Sequence, residues 1–81
     1  MNKEKRLKFI KERGFNNISE FARAVGEDPT NTAKVFRGEQ KPKLDKLLKY
    51  ALALDAEIEQ MLMLFYNDEM KMYIKERNKK K

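Results

Sequence analysis

Thr30, Asn31 and Lys34 bring a hydroxyl with its methyl, an amide and an ammonium into one short stretch of chain. Each suits the edge of a DNA base. An asparagine amide pairs bidentately with adenine, a threonine methyl meets the methyl of thymine, and a lysine one turn further on reaches guanine O6 and N7 or a phosphate. Arg37, at the far end of the same stretch, offers a planar fork that fits phosphate oxygens. Asp28-Pro29 stands just before them. A capping carboxylate followed by proline is a helix start, so Thr30 and Asn31 fall in the first turn. The dipole of that turn draws phosphate, and Asp28 partly offsets it. The same two residues also fit a merely solvated first turn, and Asp28 reads first as a cap.

Other chemistry finds little support. Histidine and cysteine are absent, which removes the commonest metal ligand and general base along with thiol and disulfide chemistry. There is no nucleophile–base pair and no glycine-rich phosphate loop. Glu57, Glu59, Asp68 and Glu69 are candidate carboxylates for a metal, but without histidine and at helix-surface spacing they read as a solvated face. The expectation is a chain that is not an enzyme and carries no cofactor and no metal.

Composition bounds the rest. The chain has 81 residues, 40% charged and 41% hydrophobic, enough for one domain with a modest core. Net charge is +6 and the isoelectric point is near 9.6. Residues 1–13 hold six cations against two acids, residues 44–60 two against four, and residues 61–81 six against three. Base thus gathers at both ends, as in a protein with one phosphate-facing side. The alternative is that lysine-rich ends only confer solubility. Met1 is followed by Asn-Lys-Glu-Lys-Arg with no apolar stretch behind it, which predicts no signal peptide. No apolar run approaches the ~20 residues of a membrane span. A cytoplasmic, non-membrane protein is expected.

The elements that position these residues follow from local rules. Leu7 and Ile10 share a face of a helix over about 3–13, ended by Gly14. Asn17, with Glu20 three residues later, resembles a capping box for a helix over 18–25 that turns Phe21, Ala22 and Val25 inward. Ala22 lies four residues before Gly26. A small side chain there allows close helix crossing, and the glycine can take positive φ as the helix ends. The next helix, 29–37, buries Thr32, Val35 and Phe36 and stops at Gly38. Two short helices around such a turn are the sequence form of a helix-turn-helix, whose second helix is the usual major-groove reader. A fourth helix, 43–54, shows the stripe Leu44, Leu47, Leu48, Ala51 and Leu54. The last, 56–77, shows two stripes: Ile58, Met61, Leu62, Phe65 and Met72 on one face, and Met63, Tyr66, Met70 and Tyr73 on another, with Ile74 beside them.

Ala22, Gly26, Val35, Gly38 and Pro42, followed by Leu44, Leu47, Leu48, Ala51 and Leu54, together resemble the spine of the lambda-repressor-like helix-turn-helix family of phage repressor and Cro type, often labelled XRE. The likeness covers roughly residues 5 to 58. It implies an all-α, five-helix DNA-binding domain with an extended C-terminal helix, binding an operator as a dimer. It implies base contacts on Pro29, Thr30, Asn31 and Lys34. It places phosphate contacts on Asn17, Ser19, Arg37, Lys41 and Lys43. The chain departs from the family pattern at Ile18, where glutamine is common, at Glu27 and Thr32, where apolar residues are usual, and at Pro29, which brings no polar side chain to a base-reading position.

The expected organisation is a DNA-binding domain over 1–58, a C-terminal helix over 59–77 and a basic tail over 78–81. Two apolar stripes on one helix suggest burial on both sides. One partner is a second copy, with Met63, Tyr66, Met70, Tyr73 and Ile74 as the dimer interface. Another is a different protein, such as an antirepressor or toxin, since methionine-rich surfaces adapt to varied partners. The helix can also fold back over the core. The leading functional expectation is a sequence-specific, double-stranded DNA-binding transcriptional regulator, a repressor of phage or mobile-element kind. The alternative is a protein-interaction module, an antitoxin or adaptor.

Overall fold

A computed structural model of the chain describes residues 2–79. Six helices follow one another: α1 (Asn2–Glu12), α2 (Ile18–Val25), α3 (Pro29–Phe36), α4 (Leu44–Leu54), α5 (Ile58–Phe65) and α6 (Asn67–Lys79). There is no strand among the described residues. No helix among them is long and apolar enough to cross a membrane. The fold is all-α.

Local chemistry sets the boundaries. The Asn17 side chain accepts from Glu20 N–H at 2.9 Å, half of the expected capping box. The return bond reaches one residue earlier than expected: Glu20 accepts from the Asn16 backbone and side-chain amides at 3.3 and 3.0 Å. Gly26 ends α2 at φ +73°, in the left-handed region open to glycine, and Glu27 N–H then closes onto Ala22 O at 2.8 Å. Asp28 caps α3 by accepting from Asn31 N–H at 3.1 Å, with Pro29 opening the helix as expected. Gly38 (φ +85°) follows the end of α3. At the end of α4 the left-handed position falls to Asp55 (φ 51°).

The expected single helix over 56–77 is two. Tyr66 leaves helical geometry at φ −126° and ψ 43°, and α6 restarts at Asn67. Asn67-Asp68-Glu69 is itself a start signal, polar and acidic where a new helix exposes its N–H groups. The continuing apolar stripe masks it in the sequence. Tyr66 is also held sideways, its hydroxyl donating to Pro42 O at 2.6 Å.

Rings form the centre of the core. Phe21 of α2 meets Phe36 of α3 at 5.6 Å and Tyr50 of α4 at 5.0 Å; Phe65 of α5 meets Phe36 at 5.4 Å and Tyr50 at 5.8 Å. Edge-on and tilted pairs of this kind contribute about 0.5–1.5 kcal/mol each beyond area burial. Ile10, Val25, Val35, Leu47, Leu54 and Met61 close around them. Two expectations are corrected. Leu44 and Leu48 are 63% and 47% exposed, because the inner face of α4 is Leu47, Tyr50, Ala51 and Leu54. Met72 is 69% exposed, because the break at Tyr66 carries it off the face of Met61 and Phe65. α6 buries none of its residues and packs against α5.

Candidate nucleic-acid interface

The candidate site is built on α3. Thr32, Val35 and Phe36 are buried and fix its inner side. The Thr32 hydroxyl donates to Asp28 O at 2.9 Å, so this unusual inward polar residue is satisfied within its own turn. The opposite side carries Thr30 and Asn31, both exposed, with Lys34 half-buried one turn on. The structure therefore brings the three candidate base-reading side chains onto one helix whose other face is held by the core. Pro29 beside them is half-buried.

The turn before α3 is braced from α4. Glu27 pairs with Lys46 and Lys49 at 3.0 Å each. Hydrogen bonds from Lys49 and then Lys46 hold its carboxyl below the usual carboxylate range. Glu27 thus joins α4 to the turn.

The five candidate phosphate residues divide. Asn17 and Ser19 are exposed at the start of α2. The Asn17 oxygen is committed to its cap, which leaves the amide N–H groups for a ligand. Lys43 is exposed ahead of α4 and makes no ion pair among the described residues. Arg37 and Lys41 are engaged within the chain. Arg37 Nε donates to Glu39 at 2.5 Å, and that bond holds the Glu39 carboxyl down and the guanidinium up. Lys41 pairs with Glu69 and lies 5.0 Å from the centre of the Tyr66 ring.

Two N-terminal cations counted as surface charge serve the fold instead. Arg6 is buried, donating from Nε to Leu64 O and from Nη1 to Phe36 O at 2.7 Å each, with its guanidinium 5.2 Å from the Phe65 ring centre. It satisfies carbonyls at the C-terminal ends of both α3 and α5. Burial lowers its pKa from the ordinary arginine value. Arg13 does similar work at the end of α4, donating to Leu54 O and Asp55 O at 3.2 and 3.0 Å. The sequence held one signal for Arg6: it lies four residues before Ile10, on the inner face of α1.

The expected dimer residues are separated by the break. Tyr66 is half-buried and bound to Pro42. Met63 is 40% exposed on α5, beside an apolar groove of about 380 Å³ that it lines with Phe9 and Leu64. Met70 is half-buried, whereas Tyr73 and Ile74 stand exposed on α6. The acidic residues weighed as metal ligands form no group of three among the described residues.

No family model, no curated protein and no solved structure matches this chain.

Proposed function

We propose that this chain is a sequence-specific double-stranded DNA-binding regulator that acts as a repressor, with α3 in the major groove. The observation that carries the reading is the outward presentation of Thr30 and Asn31 on a helix anchored by Thr32, Val35 and Phe36. Lys34, Arg37, Lys41 and Lys43 follow in the same helix and the loop after it. The side chains of α3 meet base edges, the cations hold the strand in register, and a bound promoter is occluded without any bond being made or broken. The resemblance of residues 5–58 to lambda-repressor-like domains supports the same assignment. Two copies related by a two-fold axis would set their reading helices about 34 Å apart, one turn of duplex. A phage or mobile-element setting follows from that resemblance alone.

Selection of bound sequences from random duplex DNA tests the proposal. The expected result is a site with two half-sites one turn apart. On that site Asn31→Ala costs roughly 1–3 kcal/mol, with little loss on random duplex. Equal loss on both kinds of DNA removes Asn31 from base reading, and no enrichment at all overturns the function.

A second reading rests on α6, which exposes Tyr73 and Ile74 and buries nothing. On that reading the chain is a protein-interaction module, an antitoxin or adaptor. Recovery of a stoichiometric protein partner, together with failure to retard DNA, would favour it.

A further inference from the structure

Arg37 and Lys41 already hold anions, and both anions belong to the chain. Glu39 accepts from Arg37 Nε at 2.5 Å, and Glu69, in the first turn of α6, pairs with Lys41. All four side chains are roughly half exposed, so a DNA strand can reach the pairs. A carboxylate and a phosphodiester offer a cation the same thing, anionic oxygens that accept charge-assisted hydrogen bonds. Phosphate at the single N–H of Arg37 Nε must displace Glu39, and phosphate at Lys41 must share three N–H donors and one positive charge with Glu69 or displace it.

Resting on the duplex-binding reading above, we propose that Glu39 and Glu69 are internal competitors for the DNA backbone, occupying two of its phosphate-binding cations until the strand displaces them. The salt response follows. A cation that moves from a carboxylate to a phosphate returns an acid to solvent, and that acid gathers counterions. Net counterion release falls by about one for each pair, and binding depends less steeply on salt than the number of contacts implies. Exposed pairs are weak, so the competition is graded rather than absolute.

The two competitors differ in what can move them. Glu39 sits in the loop with its cation. Glu69 belongs to α6, whose root is tied to the same loop by Tyr66 on Pro42 and by Lys41 over the Tyr66 ring. Anything that shifts α6 shifts the competitor at Lys41, which couples that helix to the grip on DNA.

The test uses the full chain and a labelled random-sequence duplex, with anisotropy followed across a salt series. The proteins are wild type, Glu39→Gln, Glu69→Gln, the double variant and Glu12→Gln. Glu12 is an exposed acid of α1 with no ion pair among the described residues, and circular dichroism verifies folding of each variant. Glu39→Gln and Glu69→Gln should each tighten binding roughly two- to fivefold at low salt. Each should also steepen the log–log salt slope by about 0.9. Glu12→Gln should do neither. A wild type that binds duplex while Glu39→Gln and Glu69→Gln behave like Glu12→Gln overturns the competition and leaves the DNA reading standing. A wild type that binds nothing while the double variant binds supports it. No binding by either sinks both readings together.

Discussion

Arg6 carries its charge into the core and gives it to two carbonyl oxygens, Phe36 O and Leu64 O. Tyr50 takes a polar group to the same depth and gives it to nothing: its hydroxyl is buried without a hydrogen-bond partner. The Thr32 hydroxyl works against the effect of burial but does not reach bonding geometry, and burial pushes the Tyr50 phenol up to about 12. The folded state therefore holds this proton more tightly than the unfolded chain, where a phenol titrates near ~10. The associated stability is complete below about pH 10 and is lost as pH rises through the folded value near 12. Tyr50→Phe removes both the orphan hydroxyl and its titration. At neutral pH the variant should be as stable as the wild type or slightly more so, since an unsatisfied buried group costs ~1–3 kcal/mol. Its alkaline unfolding midpoint should move upward in urea titrations run between pH 7 and 12. An unchanged alkaline midpoint would show that Tyr50 does not control that limb. Beyond the place of Arg6 four residues before Ile10, the sequence held no signal for either role. Arg6 reads as one more surface cation and Tyr50 as one more position of α4, and only the packing of separate helices gives each its place.

At the scale of the element, legibility divides cleanly by cause. The limits of α2 and the start of α3 follow from Asn17, Gly26, Asp28 and Pro29, each acting on backbone within a turn of itself, and these the sequence reading located. The outward residues of the candidate interface, Thr30 and Asn31, were legible for the same reason. The inner face of α4 was legible only in part: Leu47, Ala51 and Leu54 of the apolar stripe are buried, whereas Leu44 and Leu48 are not and Tyr50 was missed. Leu44 and Leu48 are as apolar as Leu47 and Leu54, and which of them is covered depends on where α2 and α5 lie. The break at Tyr66 was written in Asn67-Asp68-Glu69 but overridden by a stripe that keeps its period across it. With no buried residue, α6 has little beyond its own hydrogen bonds to protect it, and such helices open locally well below the global unfolding free energy. Hydrogen exchange should find the amides of residues 71–79 fast in dilute protein and those of α2 to α5 slow. Equal protection across all six helices would mean that a partner already covers α6.

For the whole molecule, exposed Tyr73 and Ile74 on α6 and exposed Met63 near its root make self-association through this helix testable by mass action. Sedimentation velocity over a dilution series should show a monomer–dimer equilibrium for the wild type, and Ile74→Glu should shift it at least tenfold toward monomer, the effect of about 1.4 kcal/mol, without changing the helical signal. A wild type that stays monomeric at the highest concentration would remove the homodimer and leave α6 to another partner. The ring stack gives this architecture a further consequence. Phe21, Phe36, Tyr50 and Phe65 tie four consecutive helices into one unit, and no residue of α6 enters it. Beyond Met70, substitutions can accumulate without disturbing how the rest of the chain folds, so the exposed face of α6 is free to diversify while the four-ring unit stays fixed.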